Sequence, residues 1–259
     1  MTANHNEPAG SSFSTERVEK ENAKLIEKLD RLTRRNLAMH SLLVEIGRKL
    51  QLSSASIKAA VSSMLAEDFF WDEATQHEFL QTIDISVDEI SKTIWLVTLA
   101  MRLETDSLVL HAEPLILQEI IAAAVDEVSH SQPHMPIELE IPQDGSLVDV
   151  DYEYLKDGLR LLFEFIVLAQ PSQGTLYIQA VESRTTWNVN ITNLAENTFN
   201  MIRRISSFDQ EILSQKNWVH PDMILKLFVA LELFRLQKVN FKEEESGVTQ
   251  KTIKLIIPI

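Results

Sequence analysis

From Val18 to Leu50 the chain repeats every seven residues, with Val18, Leu25, Leu32, Met39 and Ile46 at one position and Asn22, Leu29, Asn36, Leu43 and Leu50 at the other. Alternating steps of three and four residues keep one helix face apolar, which predicts a coiled coil. Asn22 and Asn36 fall on that seam, where a buried amide gives up stability to fix register, most often in a parallel dimer; the alternative is that they fray a solvated helix. A second run starts after Asp72, a candidate N-cap, and carries Leu80, Ile83, Val87, Ile90, Ile94, Val97 and Met101 at the same steps. This predicts an antiparallel return helix. Between the runs, Ala66–Trp71 holds Phe69, Phe70 and Trp71, whose rings are predicted to close the open end of a helical hairpin. Two such hairpins would form a four-helix bundle.

Past residue 112 the pattern changes to short extended segments between helices. Strands are predicted at Leu115–Leu117, Ile137–Ile141, Thr175–Val181, Trp187–Thr192, Lys238–Lys242 and Thr252–Ile257, with helices near 118–129, 152–169 and 221–236. This suits an α/β sandwich with one helical layer, making the chain α+β overall. The expected organisation is a disordered tail over 1–15, a helical dimerisation domain over 16–110 and the sandwich over 111–259.

Composition narrows the chemistry. The 259 residues carry a formal charge of -14, which points away from nucleic acid, since duplex binding depends on cationic side chains. There is no cysteine, which removes thiol catalysis, thiolate metal sites and disulfides and fits a reducing compartment. The longest apolar stretches, in Leu161–Ala169 and Ile253–Ile259, fall well short of the roughly 20 residues that a membrane helix needs. No membrane span, a cytoplasmic location and protein partners are therefore expected.

With the hairpin in place, Leu43–Leu65, including Ser56-Ile57-Lys58, resembles the first dimerisation helix of sensor histidine kinases. The segments Glu78–Ile83, Glu89-Ile90-Ser91 and Met101–Thr105 are similar to that family's return helix and its exit toward the nucleotide-binding domain. Glu113–Leu117 and the amphipathic helix through Val128 look like the opening of that domain, so the resemblance covers about residues 40–259. It implies a Bergerat-like ATPase fold after the hairpin.

The same resemblance places the family's functional motifs on unsuitable residues. The phosphoacceptor block of His, Glu, two residues, Thr or Asn, then Pro falls on Arg48, Lys49, Leu50, Gln51, Leu52 and Ser53. Arginine offers no neutral nitrogen nucleophile, Lys49 cannot act as the carboxylate base, and Leu52 cannot orient water. Arg48 lies off the seam and is expected to face solvent. Asp151 and Leu155–Pro171 look like the helix that supplies asparagines to magnesium and triphosphate; those asparagines fall on Leu161 and Phe165, and a basic position falls on Leu168. Glu164 alone keeps a polar group there.

The Asp-x-Gly-x-Gly segment corresponds to Asn193–Asn197, and the second glycine motif to Asp222, Met223 and Ile224. Asn193 retains the capacity to bond an adenine amino group, but no glycine occurs between Gly174 and Gly247 to form a phosphate cradle. Asp222 would repel a triphosphate there and is expected to serve as an N-cap after Pro221. The apolar replacements Leu161, Phe165, Leu168, Met223 and Ile224 suggest a cavity filled by side chains, with no cofactor and no metal bound.

The seven histidines show no metal-ligand spacing on a shared face. His77-Glu78 looks like an acceptor pair but belongs to the return helix, and no serine near Ser53 has a paired base. Arg31, Arg34 and Arg35 form a basic patch, read either as a solvated flank paired with Glu27 and Asp30 or as a partner surface. The leading expectation is a catalytically inactive histidine-kinase-like protein of two-component signalling. Such a protein would be a homodimer acting by binding a response regulator or a partner histidine kinase. The alternative is a histidine phosphotransferase relaying phosphate through a displaced histidine such as His40, and a third reading is a scaffold unrelated to signalling.

Overall fold

Helix α1, Ser11–Met64, follows the heptad pattern without a break. The computed structural model describes residues 11–65, 71–142, 144–170, 174–206, 220–246 and 250–259. Residues 1–10 of the expected tail lie outside the described residues, and α1 already covers residues 11–15. The chain divides into two compact units, Met1–Ser41 and Leu42–Ile259. In the first unit Leu25, Leu29 and Leu37 are exposed, as are Asn22 and Asn36. The side chains of Val18, Arg31, Leu32, Arg34 and Arg35 lie outside the described residues.

In the second unit α1 buries Leu42, Ile46, Ser53 and Ala60. The Ser53 hydroxyl donates to Glu89 at 3.3 Å, tying α1 to α2, Glu73–Glu104. Asp72 caps α2 as expected, accepting from the Thr75 amide at 2.8 Å, and this bonding holds its carboxyl below the usual value. Of the aromatic segment, Ala66–Phe70 lies outside the described residues. Trp71 donates to the Ser63 carbonyl at 3.0 Å and meets Phe79 edge-on at 5.2 Å between centroids, so it closes the end of the hairpin.

The apolar run of α2 divides between two directions instead of forming one seam. Thr93, Leu96, Leu99, Ala100 and Leu103 are buried, whereas Leu80, Val87, Ile94 and Met101, seven residues apart, are exposed. Positions seven apart share a face of a helix, so these four form one continuous uncovered stripe on the single chain.

The remainder is the sandwich. β1 (Glu113–Leu115) pairs antiparallel with β3 (Val148–Val150). A five-stranded mixed sheet runs in the order β2-β4-β5-β7-β6, formed by β2 Ile137–Glu140, β4 Leu176–Glu182, β5 Thr186–Thr192, β6 Asn240–Ser246 and β7 Gln250–Pro258. Only β2–β4 is parallel in it; the other pairs are antiparallel. Its buried positions alternate along each strand, as in Leu176, Ile178 and Ala180 of β4 and Trp187, Val189 and Ile191 of β5.

Helices α3 (Leu117–Ser131), α4 (Tyr152–Ala169), α5 (Glu196–Ser206) and α6 (Pro221–Leu236) complete the domain. β1 lies two residues earlier than expected, because Leu117 is buried as the first residue of α3. β3 and α5 were not expected from the pattern. β3 has three residues, and α5 buries only Thr198, Phe199, Ile202 and Ile205 in an otherwise polar sequence. The core gathers Phe163, Phe165, Phe199, Phe228 and Phe234. Gly158 of α4 lets α6 come close: a Cβ there would lie 2.9 Å from Cε1 of Phe234.

Buried Asp151 joins three segments at the start of α4. Its carboxylate accepts from the amides of Tyr154 at 3.1 Å and His111 at 2.8 Å, while its own amide donates to Gln237 Oε1 at 2.8 Å. Asp151→Ala removes a helix cap, leaves the partly buried His111 amide without this partner and strips the buried start of α4 of its carboxylate, and is expected to lower unfolding free energy by about 2 kcal/mol. Denaturant titration checks this; a loss below about 0.5 kcal/mol, the scale of an ordinary surface change, would contradict the bridging role.

Candidate functional site

The acceptor-block residues lie on the second-unit portion of α1 and point in different directions. Arg48 faces solvent, as expected from its place off the seam, with its side chain 67% exposed and its guanidinium 3.1 Å from Glu45. Leu52 is 56% exposed. Lys49 instead reaches α6, where its ammonium lies 3.2 Å from the Asp222 carboxylate. Two positions that the sequence assigned to separate motifs thus bond each other across 173 residues. His40 is exposed on α1 in the first unit.

On α4, Leu161 and Phe165 are buried completely or nearly so, at 1% and 0% exposure. Leu168 does not join them: although it is three residues after Phe165 and seven after Leu161, on the same helix face, it is 41% exposed, one residue from the end of α4 at Ala169. Glu164 is engaged on both oxygens, with Arg160 at 2.8 Å on one and Lys226 of α6 at 2.6 Å on the other. Burial alone would push this carboxyl up, but the two cations outweigh it and hold the group below its ordinary value. Asp157, two turns before Glu164, bonds Arg160 at 3.0 Å, yet burial leaves its carboxyl raised.

Arg160 is the centre of this network. It also meets Glu127 of α3 at 3.3 Å, and its guanidinium lies 5.0 Å from the ring centroid of Trp95 on α2. Burial would lower its proton affinity, but Glu164 and Asp157 reverse that and raise it. Lys156 extends the chain of charges through Glu127 and Glu153, both at 3.2 Å. Motif reading missed Arg160, Lys226 and Trp95. The four-residue spacing of Arg160 and Glu164 was the one available signal.

The loop after β5 is closed by its own chain. Asn193 takes a left-handed conformation, φ 62°, and its side-chain amide donates to the Thr175 carbonyl at 2.6 Å. Gln170 at the end of α4 donates to the Asn193 carbonyl at 2.9 Å and accepts from the Ala195 amide at 3.3 Å. Asp222 is not the N-cap of α6: His220 holds that position and Pro221 begins the helix, since a first-turn proline has no amide to satisfy. Asp222 occupies the first turn, Met223 is half-buried and Ile224 is buried.

The resemblance implies a magnesium–nucleotide and places its oxygen ligands on Leu161 and Phe165, residues that do not suit one. Both present buried carbon there, both oxygens of Glu164 are bonded to cations, and Asp222 adds negative charge at the helix start. Among the described residues no three His, Asp or Glu side chains gather as a metal site, and no described helix is long and apolar enough to cross a membrane.

No protein-family model and no curated protein matches the chain. Among solved structures, the Acinetobacter baumannii histidine kinase AdeS superposes with a TM-score of 0.54 at 13% identity, over 81% of this chain and 96% of that one. Full-length ShkA, solved in complex with AMPPNP, gives 0.55 at 9% identity over 83% of this chain, which spans 45% of ShkA. A bacterial phosphotransferase gives 0.46 at 12% identity, over 84% of this chain and 95% of that one, and adds no weight. The chain has the histidine-kinase core fold: a helical N-terminal part followed by an ATPase-like domain with a mixed five-stranded sheet.

The Glu164 network gives a pH signature. A carboxyl lowered in the fold contributes stability above its unfolded pKa and loses it as pH falls through the folded value. Glu164→Gln, which strips Lys226 of its carboxylate, is expected to cost about 2 kcal/mol at neutral pH. The gap to the parent protein should narrow below about pH 4, the ordinary glutamate range. Asp157 acts in the opposite sense in both proteins, so the difference between them isolates Glu164. Denaturation at several pH values checks this, and a gap that stays constant into acid would contradict it.

Proposed function

We propose that this chain is a catalytically inactive histidine-kinase-like protein of two-component signalling that acts as a dimer through protein binding, docking a response regulator or modulating a partner kinase. The observation that carries this reading is the burial of Leu161 and Phe165, the residues on which the resemblance places the magnesium and phosphate ligands. Arg48 and Lys49 agree with it, since neither supplies the nucleophile or the base of phosphoryl transfer to histidine. A core fold without its chemistry still offers a helical surface.

Dimerisation is supported by two uncovered apolar stripes, Leu25 and Leu29 on α1 and Leu80, Val87, Ile94 and Met101 on α2. A second copy suits them, because the seven-residue spacing is that of helices packing on helices, and Asn22 and Asn36 would fix the register. The same reading places the protein in the cytoplasm, where response regulators and kinase cores meet.

Incubation with labelled ATP and magnesium is expected to leave the protein unlabelled, and a phosphorylated response regulator should transfer no phosphate to it. Label from ATP would overturn the inactive reading; label from the regulator that disappears in His40→Ala would establish the phosphotransferase alternative. Sedimentation should give a dimer that Val87→Lys with Ile94→Lys converts to monomer. A monomeric parent protein would remove the dimer from the proposal.

A further inference from the structure

Lys49 and Asp222 occupy motif positions on different parts of the fold, yet they form an ion pair at 3.2 Å. Asp222 stands in the first turn of α6, where the helix dipole favours a carboxylate, so one half of the pair is set by α6 itself. Lys49 lies one residue past Arg48, and the two cations diverge: Arg48 turns outward to Glu45 while Lys49 turns inward to α6. A second tie lies elsewhere in the same unit, where Trp95 of α2 stacks under Arg160 of α4, itself held by Glu127, Asp157 and Glu164. Lys49 thus ties α1 to α6 and Trp95 ties α2 to α4, while α2 also packs along α6.

We propose that the Lys49–Asp222 pair is an intramolecular latch, which together with the Trp95–Arg160 contact holds the hairpin and the ATPase-like domain in a closed arrangement that can be released. The two ties differ in kind. Arg160 is largely enclosed among carboxylates and its contact with Trp95 is little affected by salt, whereas Lys49 and Asp222 are partly exposed, at 39% and 24%. A partly exposed pair is weak and screened by ions, and a competing charge can displace it. The latch is therefore the releasable end, and Trp95–Arg160 with the packing of α2 on α6 the standing one. In chemical terms, the position next to the lost phosphoacceptor now bonds the position at the lost phosphate cradle, so the surfaces once needed for transfer hold each other.

The chain has no cysteine, so two introduced cysteines can be spin-labelled without interference. Labels at the exposed positions Leu52→Cys and His220→Cys, in protein diluted with an excess of unlabelled chain, report the distance between α1 and the start of α6 within one molecule. In low salt a single narrow distribution is expected. Asp222→Lys should shift it to longer distances and broaden it, and the charge-swapped Lys49→Asp with Asp222→Lys should restore the narrow form. Raising salt to about 1 M, where the screening length is about 3 Å, should broaden the parent distribution but not that of Asp222→Lys. An unchanged distribution in Asp222→Lys, or a change that the swap does not reverse while circular dichroism stays native, would overturn the latch. The distance measurement involves neither nucleotide nor partner, so its failure is separate from any failure of the proposed function.

Discussion

The close packing of α4 on α6 is the constraint on which the rest depends. Gly158 has no Cβ to hold Phe234 away, and a methyl group there would stand 2.9 Å from the ring. With the helices drawn together, Phe165 and Leu161 have no path to solvent, and Ile224 is buried in the first turns of α6. The Glu164–Lys226 ion pair crosses the same interface at 2.6 Å and, with Arg160, places the Glu164 carboxylate between two cations. Interiors packed at crystal-like density leave little room for a ligand between these helices. The small Gly158, the buried Leu161 and Phe165 and the paired Glu164 together serve one closed arrangement.

That arrangement also explains how the hairpin is held. Arg160 belongs at once to the charge network of the helical layer and to the contact with Trp95 of α2. Asp151 does similar work at the other end of α4, bonding the chain that enters the domain through the His111 amide and the end of α6 through Gln237. The α4 helix, which in the resembling family would face a nucleotide, packs here between α3 and α6 and reaches α2 through Arg160. What remains on the outside are Arg48, Leu52 and the exposed stripes of α1 and α2, the surfaces on which the proposed partner binding rests.

Much of this architecture was legible in the sequence, because the strongest signals there are periodic ones. Helix α4 begins and ends where its pattern placed it, and β5 begins at Thr186, one residue before the expected start. Elements with little apolar content were hidden, as with the three residues of β3 and the polar α5. The outward direction of Arg48 followed from its place off the seam, but the splitting of the α2 run into a buried and an exposed face did not, since spacing alone does not say which neighbour covers a stripe. Leu168 was grouped with Phe165 by motif position and shares its helix face, yet it is exposed at the last turn, where α4 ends at Ala169. Asp222 was assigned as a cap because aspartate favours caps, but the proline before it moved the helix start back to His220. The long-range pairs Lys49–Asp222 and Glu164–Lys226 join residues far apart in the chain, and no local rule brings them together.

The central claim is that side chains close the site in which this fold would otherwise hold a nucleotide. Calorimetric titration of the full chain with ATP and excess magnesium tests it most directly, because it reads binding without requiring any transfer step. No saturable heat up to millimolar nucleotide is expected. A saturable isotherm that requires magnesium and is abolished by disrupting the start of α6 would contradict the claim.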